Sequence, residues 1–390
     1  MNQGKYVFKQ LMGFVSRYEF DKCVSRYDGN KRVRHLGCWQ QFLSLAFGQL
    51  THRQSLRDIV VCLRAQGPKL YHLGFRQPLA RSTLADANKN RNWRIFADFS
   101  QHLIQEAVKL YGQESSEQSS LSQPIYALDS SLVLLCLNLF FWAKYRKTTA
   151  GIKIHTLLNV ETAIPHFFHI TDGLTHDVNI LREMDFEPGA FYVMDRGYVN
   201  FEQLFRIDQS GAFFIVRAKK NLKFKRQSSN SKKGQETIVF DQLGYLTVYY
   251  SRKAYPEKIR CLKARDPETN QTIVLLTNHK KWTATQIAQC YRKRWQIELF
   301  FKWIKQHLRI KTFWGYSENA VLTQIYTALA TYLIVAIVRK KLNIQHNLYE
   351  MLQILSVSPF QKTPLNQLFT DQSLQNSKNE DSNQLNIWNL

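Results

Sequence analysis

The chain has 390 residues, 44% of them hydrophobic, and 53 Lys and Arg outnumber 30 Asp and Glu to give a formal net charge of +23. The hydrophobic content excludes a disordered chain, and the length suggests two or three domains. A charge excess of this size repels itself unless a polyanion neutralises it, so we expect a nucleic acid as the partner.

Three further features of the sequence narrow the class of protein. The six cysteines form no CxxC pair, which argues against a zinc ribbon or a redox motif. The first ten residues lack the apolar core of a signal sequence, so we expect a cytoplasmic protein. Residues 320–338 are uncharged over nearly the length of a membrane span, but they include six Thr, Gln and Tyr residues. We therefore predict a buried core helix there.

Residues 1–111 have the pattern of a helical domain. Ser55 and Asp58 are spaced as at a helix start, and apolar residues from Trp93 onward recur at intervals of three and four. Basic residues are dense around them, so we predict a helical N-terminal DNA-binding domain. Residues 112–123, "GQESSEQSSLSQ", are polar and rich in serine, which predicts a linker.

Residues 124–219 have the pattern of a mixed α/β sheet. "PIYALD" and "AFYVMDRGY" are apolar runs closed by Asp129 and Asp195. "GIKIHTLLNV" and "AIPHFFHIT" predict paired strands, and "AFFIVRAK" predicts another. Short buried strands followed by helical stretches are typical of an α/β fold.

Residues 220–280 predict an antiparallel β-strand insertion. "NLKFKRQSSNSKKGQE" has the composition of a basic loop, and four strands follow it: "TIVFDQL", "YLTVYYSRK", "KIRCLKAR" and "QTIVLLTN". The basic "KFKR" and "SKK" suit a DNA-binding appendage, although a solvated loop explains them equally well. A helical pair is predicted within residues 281–345, and a C-terminal helix with a mobile tail within 346–390.

Asp129 and Asp195 share one context, since each ends a predicted strand. Side chains at the carboxyl ends of strands in an α/β sheet face a crevice where ligands bind. Two neighbouring carboxylates repel each other unless a cation lies between them, and oxygen ligands select Mg²⁺ or Mn²⁺. Taken singly, each Asp is more simply explained as a turn or helix-capping residue.

Glu298 is the one acid in "YRKRWQIELFFKWIKQ", residues 291–306. On a continuous helix it shares one narrow polar stripe with Tyr291, Arg294, Lys302 and Lys305. Large apolar residues border the stripe on both sides, so we expect it to face a cleft rather than open solvent. The alternative is a surface ion pair between Glu298 and Lys302.

The spacing Tyr291-x2-Arg294-x3-Glu298-x6-Lys305 resembles the Y-R-E-K signature of one large group of bacterial insertion-sequence transposases. "ALDSS", which contains Asp129, resembles the first aspartate motif of these DDE-type enzymes, and "MDRGY", which contains Asp195, resembles the second. The resemblance covers roughly residues 120–340. It implies a ribonuclease-H-like catalytic core, with the remainder of that core supplied by residues 281–345.

The resemblance also implies a mechanism. Asp129, Asp195 and Glu298 would hold two Mg²⁺ ions, with Mn²⁺ as a possible substitute, for in-line cleavage and joining of DNA strands. Tyr291, Arg294, Lys302 and Lys305 would position the transposon end. The partners would be double-stranded DNA at the transposon ends and the target, and a second copy of the chain in a homodimer.

Aromatic residues supply two further expectations. Trp295 lies three residues before Glu298, where it could either stack on a splayed base or pack in the core. Some members of the resembled family form a DNA hairpin with the help of an aromatic residue in the β insertion. Trp282, Tyr249 and Tyr250 are the candidates for that role here.

Some features of the sequence are compatible with other functions. His166, His169 and His176 could serve a zinc hydrolase, but a spacing of three places the first two on opposite faces of a strand. A nuclease with the same core but without strand transfer, and a non-catalytic DNA-binding protein, stay open as alternatives. A serine nucleophile at Ser130 or Ser131 has no histidine at a recognisable partner position.

Overall fold

The computed structural model describes residues 4–75, 77–118, 123–147, 149–231, 235–265, 270–308, 310 and 312–369. These residues divide into two units. The helical unit contains the described residues of Met1–Glu117, Leu132–Ile152 and Phe301–Gln375, and the sheet unit contains those of Gln118–Ser131 and Lys153–Phe300.

The helical unit begins with a series of short amphipathic helices. Ser55 and Asp58 form the capping box that the sequence predicts, in which each side chain accepts a hydrogen bond from the other residue's backbone N–H. The helices are α1 (Val7–Met12), α2 (Arg17–Arg26), α3 (Cys38–Leu50), α4 (Leu56–Arg64), α5 (Gly67–Leu73), α6 (Arg81–Asn90), α7 (Arg94–Gln118), α12 (Glu318–Lys341), α13 (Leu348–Val357) and α14 (Leu365–Leu368).

The central element of the helical unit is α12. Its residues from Ala320 to Val338 are all buried, as predicted for a core helix. Ser100 of α7 donates a hydrogen bond to the Tyr326 carbonyl at 2.9 Å, and the Trp93 ring stacks on the Tyr326 ring at 5.6 Å. Among the described residues, α12 alone is long and apolar enough to suit a membrane span, and that apolar stretch is buried within the protein.

The serine-rich segment predicted as a linker begins inside a helix. Residues 112–118 continue α7, and residues 119–122 lie outside the described part of the chain. Gln and Glu favour helices nearly as well as Leu, so polarity alone does not end one.

The described strands are β1 (Ile125–Leu135), β2 (Ala150–Asn159), β3 (Pro165–Asp172), β4 (Phe191–Met194), β5 (Phe213–Arg217), β6 (Phe224–Ser229), β7 (Ile238–Leu246), β8 (Ile259–Arg265) and β9 (Thr272–Thr277). They form one sheet in the order β3-β2-β1-β4-β5-β9-β8-β7-β6. β1, β4 and β5 are parallel, whereas the strands from β5 to β6 are joined by antiparallel pairings. The prediction of a mixed α/β sheet after a helical N-terminal region is therefore confirmed.

The strands predicted within residues 220–280 are antiparallel, but their bounds differ from the prediction. The last three residues of "KFKR", predicted as a loop, begin β6, whose residues after Phe224 are exposed at the sheet edge. "YLTVYYSRK", predicted as a strand, instead ends β7 and then forms the short helix α9 (Tyr249–Ala254). Charged side chains are common on edge strands because they discourage pairing with other chains, so a basic composition does not exclude a strand. "SKK" lies mainly outside the described residues.

Short helices complete the sheet unit. They are α8 (Phe201–Gln209), α10 (Ala284–Arg292) and the start of α11 (Trp295–His307), whose residues from Phe301 onward belong to the helical unit, with 3-10 helices at Asp177–Glu183 and Arg196–Tyr198. The predicted continuous helix over residues 291–306 is wrong, because Lys293 and Arg294 form a turn between α10 and α11. Hydrogen bonds from Arg294 N to Tyr291 O and from Ile297 N to Arg294 O tighten this turn to the 3-10 pattern.

Candidate active site

The strand register brings two of the predicted acids to neighbouring positions. Leu128 of β1 pairs with Met194 of β4, and the two strands are parallel. Asp129 and Asp195 are the residues that follow this pair. β1 itself continues to Leu135, so Asp129 does not end the strand as predicted. What ends at Leu128 is the pairing with β4, because β4 stops at Met194 and the chain turns into the 3-10 helix Arg196–Tyr198.

Arg294 connects the first acid to the third. Its Nη1 donates a hydrogen bond to Asp129 Oδ2 at 3.1 Å, and its Nη2 donates one to Glu298 Oε1. The side chains are largely buried, with exposed fractions of 10% for Arg294, 22% for Asp129 and 24% for Glu298. The two carboxylates thus converge on one cation. Glu298 also lies in the first turn of α11, where the helix dipole favours a negative charge.

The electrostatics of this cluster act most strongly on Asp129. Burial raises the pKa of its carboxyl to about 6, while Arg294 and the backbone N–H of Ser130 oppose the rise. The charges of Glu298 and Asp195 add to the rise, which shows that the three acids influence one another. For Arg294, burial works against the charge, but Tyr291 and the three acids outweigh it and raise the pKa above its ordinary value.

Tyr291 completes the buried group around Arg294. It is 3% exposed, and its ring centroid lies 5.9 Å from the guanidinium carbon of Arg294. Burial is the main cause that raises the pKa of its hydroxyl to about 12. Tyr291 therefore stays neutral at physiological pH and packs against the Arg294 guanidinium as an uncharged ring.

The donor set suits a divalent ion in its chemistry. Carboxylate oxygens are the ligands that Mg²⁺ and Mn²⁺ prefer, and two of these carboxylates already meet at a positive charge. Within the described ranges, no group of three His, Cys, Asp or Glu side chains is arranged so closely that it could hold a metal ion as it stands. An ion held by these acids would therefore take the place of Arg294 as their counter-charge.

Comparison with known proteins identifies the family. A family model described as a transposase DDE domain matches residues 120–334. A protein of Sinorhizobium fredii that is named as a transposase is 34% identical over 257 residues, which are 65% of this chain and 70% of the relative. The chain is a DDE-type insertion-sequence transposase. The ribonuclease-H-like fold class predicted from the motifs is thereby confirmed.

Further relatives of the transposase carry matching names. A protein of Geobacillus stearothermophilus named as a probable transposase of an insertion sequence element is 27% identical, over 61% of this chain and 62% of the relative. A protein of Synechocystis named as a putative transposase of an insertion sequence element is 26% identical, over 65% of this chain and 70% of the relative. A second family model, described only as a domain of unknown function, matches residues 3–76. A solved piggyBac transposase synaptic complex with hairpin DNA aligns at 10% identity over 92% of this chain and 81% of that one, with a TM-score of 0.46.

The other predicted DNA contacts occupy varied environments in the transposase. Trp295 is half-buried, and its indole N–H is buried with no hydrogen-bond partner among the described residues. Lys302 is exposed, whereas Lys305 is partly buried and donates a hydrogen bond to the Leu132 carbonyl at 3.1 Å. The apolar border of α11 is also uneven, since Leu299 is 38% exposed. The predicted burial of both flanks is therefore wrong for Leu299.

The aromatic and histidine candidates are placed as follows. Trp282 stacks on Phe191 at a centroid distance of 4.0 Å, whereas Tyr249 and Tyr250 are exposed. His166 contacts the Tyr126 ring at 4.7 Å, and burial lowers the pKa of its imidazole. His169 Nε2 lies 3.9 Å from Glu183 Oε2, and His176 precedes the 3-10 helix Asp177–Glu183.

The direct role of Arg294 as the counter-charge of the acids was not predicted from the sequence. The signal was present in part, because Arg294 and Glu298 are spaced i,i+4, the spacing of a helical ion pair. Arg294 was predicted to contact a DNA phosphate, and an ion pair of Glu298 was considered only with Lys302, as the alternative to a stripe that faces a cleft. The contact between Arg294 and Asp129 joins residues 165 positions apart in the chain and has no signal in local spacing.

Proposed function

We propose that the transposase binds the terminal inverted repeats of its own insertion sequence, cleaves DNA strands at their ends and joins the free 3′-hydroxyl groups to target DNA. Asp129, Asp195 and Glu298 serve as the metal ligands and catalytic residues. The observation that carries this assignment is the convergence of Asp129 and Glu298 on Arg294, with Asp195 at the register position next to Asp129.

The cofactor in this proposal is a pair of Mg²⁺ ions, which Mn²⁺ can replace. When bound, two such ions activate a water or a 3′-hydroxyl and stabilise the leaving oxygen in an in-line displacement at phosphorus. The chain itself supplies the fixed carboxylates and excludes bulk water. The high pKa of Asp129 means that this residue must lose its proton before it can act as a ligand.

Arg294 has a second task in the proposal. If Asp129 and Glu298 held a metal ion, the Arg294 guanidinium would be free of both carboxylates and could donate two hydrogen bonds to a DNA phosphate. Tyr291 supports it from the buried side, and Trp295 offers a half-buried aromatic surface for a base. Lys302 and Lys305, further along α11, supply additional positive charge for the backbone of the transposon end.

The remaining parts of the chain would contribute to DNA binding and assembly. We assign residues 1–111 to a helical DNA-binding domain, 112–123 to a linker, 124–219 and 281–345 to the catalytic core, 220–280 to the β-strand insertion and 346–390 to a C-terminal helix and tail. A cleft lined by Arg17, Arg34 and His35 gives the N-terminal region a basic surface. Cleavage of both ends together would require a homodimer acting in the cytoplasm.

The experiment that tests this function supplies pre-cut DNA ends carrying the inverted repeats that flank the gene, together with Mg²⁺ and a target plasmid. The proposal expects joined products that disappear when EDTA is added. Cleavage of uncut ends without any joining would assign the activity to a nuclease. Binding of the ends without either reaction would assign the protein to non-catalytic DNA binding.

A further inference from the structure

A fourth carboxylate, Asp177, is linked to the first acid of the site through Ser130. The Ser130 backbone N–H donates a hydrogen bond to Asp129 Oδ1 at 2.8 Å, and its hydroxyl donates one to Asp177 Oδ1 at 2.7 Å. A serine hydroxyl has a single proton to donate. Its use on Asp177 therefore sets the side-chain orientation of the residue whose backbone contacts Asp129.

Asp177 is itself anchored on its other side. Lys153 Nζ lies 3.2 Å from the same Asp177 oxygen and donates a hydrogen bond to the Thr175 carbonyl at 2.7 Å. The Thr175 backbone N–H and hydroxyl both donate to Asp172 Oδ1 at 2.7 Å. Asp177 is thus held by Lys153 of β2, which also contacts the turn that follows β3. It can act as a fixed support for Ser130.

Tyr198 adds a buried polar group to the same region. It follows Asp195 in the 3-10 helix Arg196–Tyr198 and is 2% exposed. Burial raises the pKa of its hydroxyl well above the ordinary value, and the charges of Asp129 and Asp177 add to the rise. Tyr198 therefore remains a neutral neighbour that adds no charge to the two carboxylates.

We propose that Asp177 is a positioning residue that acts through Ser130 to hold the Asp129 carboxylate in the orientation that binds a divalent ion. This inference rests on the proposed role of Asp129 as a metal ligand. The need for such support follows from the release of Arg294, because Asp129 then loses its hydrogen bond from the guanidinium and keeps the one from Ser130. Partners that orient metal ligands in this way usually affect affinity by about 10–100-fold.

The test measures Mn²⁺ affinity of the full-length protein by electron paramagnetic resonance, which counts free Mn²⁺ without requiring activity. Asp177→Asn keeps the shape of the side chain but weakens its acceptor, and we expect a loss in affinity of about 10–100-fold. Asp185→Asn is the matched control, because Asp185 is exposed, eight positions further along, and loses the same charge. It should bind Mn²⁺ as the unsubstituted protein does.

Substitutions at Ser130 separate positioning from general damage to the fold. Ser130→Ala should weaken Mn²⁺ binding as Asp177→Asn does, and Ser130→Thr, which keeps the hydroxyl, should restore most of the affinity. If Asp177 acts on Asp129 only through Ser130, the double variant Ser130→Ala with Asp177→Asn should bind Mn²⁺ no more weakly than the single variant with the lower affinity. Additive losses would show independent effects and overturn the proposal.

The outcomes distinguish this inference from the proposed function. If the unsubstituted protein binds no Mn²⁺, or if Glu298→Ala binds it equally well, the metal role of the acids fails. If the unsubstituted protein binds Mn²⁺ and folded Asp177→Asn binds within about twofold of it, against the expected 10–100-fold loss, the positioning role fails. If Asp177→Asn does not fold, the comparison of Ser130→Ala with Ser130→Thr decides, and equal affinity of these two overturns the proposal.

Discussion

Arg294 Nη1 lies 3.1 Å from Asp129 Oδ2, and the same guanidinium also binds Glu298. Two acids that would repel each other are thereby held at one place in the absence of an ion. In the proposed function, Arg294 would release these carboxylates when it binds a DNA phosphate. Binding of metal to the acids and binding of DNA to Arg294 should therefore favour each other.

Replacing Arg294 should make the transposase less stable and more responsive to metal. Arg294→Gln leaves two largely buried carboxylates without their counter-charge, so we expect a loss of about 1–3 kcal/mol in the free energy of unfolding. Mn²⁺ should then stabilise the variant by more than it stabilises the unsubstituted protein, because no guanidinium has to be displaced. Urea unfolding with and without Mn²⁺ measures both effects. Arg182→Gln, at an exposed position, is the control, and an unchanged metal response in Arg294→Gln would refute the competition.

The pKa of Asp129 predicts that metal affinity depends on pH. Burial raises this pKa from 3.8 to about 6, and only the ionised carboxylate is a good ligand. Mn²⁺ affinity should therefore rise as pH increases through about 6 and level off above it. Titrations between about pH 5 and pH 8 test this, and an affinity that is already constant below pH 6 would contradict it.

The same pKa predicts the opposite trend for stability in the absence of metal. Because the folded-state pKa is raised, the protonated form of Asp129 contributes stability that is complete below pH 3.8 and is lost as pH rises through about 6. Asp129→Asn cannot ionise and should not show this loss. Urea unfolding in EDTA should therefore show the variant gaining stability relative to the unsubstituted protein across that range. A constant difference between the two proteins would mean that the pKa of Asp129 is not raised.

Loss of any proposed ligand should separate DNA cleavage from DNA binding. Asp129→Ala, Asp195→Ala and Glu298→Ala should each reduce strand cleavage below detection, because the remaining carboxylates cannot hold the metal ions in place. Binding to the transposon end, measured in EDTA, should change much less, since it depends on basic residues. Asp185→Ala provides the control for removal of an exposed acid. Strand cleavage that persists in any of the three variants would remove that residue from the site.

The two lysines of α11 should respond differently to substitution. Lys302 is exposed, so Lys302→Ala should weaken binding to the transposon end and lower the slope of log affinity against log salt by about one. Lys302→Arg should keep both. Lys305 donates to the Leu132 carbonyl, so Lys305→Ala should also cost about 1 kcal/mol of stability. A salt slope that is unchanged in Lys302→Ala would exclude Lys302 from the DNA interface.

The parts of the fold with strong local patterns could be predicted from the sequence. The apolar runs before Asp129 and Asp195 identified two strands, which the structure pairs in parallel, and the uncharged segment from Ala320 to Val338 identified the core helix α12. The apolar runs and the uncharged segment both arise because consecutive residues of one element are buried together. Such signals survive in a single sequence because every residue of the element contributes to them.

The elements that were predicted wrongly depend on contacts outside the element itself. β6 was predicted as a loop, and it is a strand because it pairs with β7 at the sheet edge. The turn at Arg294 interrupts a segment that contains no Gly or Pro to end a helix, and it is recognisable only from its contacts with Asp129 and Glu298. Tertiary contacts of this kind override local propensity and leave no periodic signal.

The central claim is that Asp129, Asp195 and Glu298 together hold divalent ions. Anomalous diffraction from crystals of the transposase soaked in Mn²⁺ tests it most directly, because the signal locates the ion without assuming its ligands. The account predicts anomalous density within about 2.5 Å of oxygens from all three side chains, with the Arg294 guanidinium displaced from Asp129 and Glu298. Density elsewhere in the protein, or ions that leave one of the three acids uncoordinated while Arg294 stays in place, would contradict it.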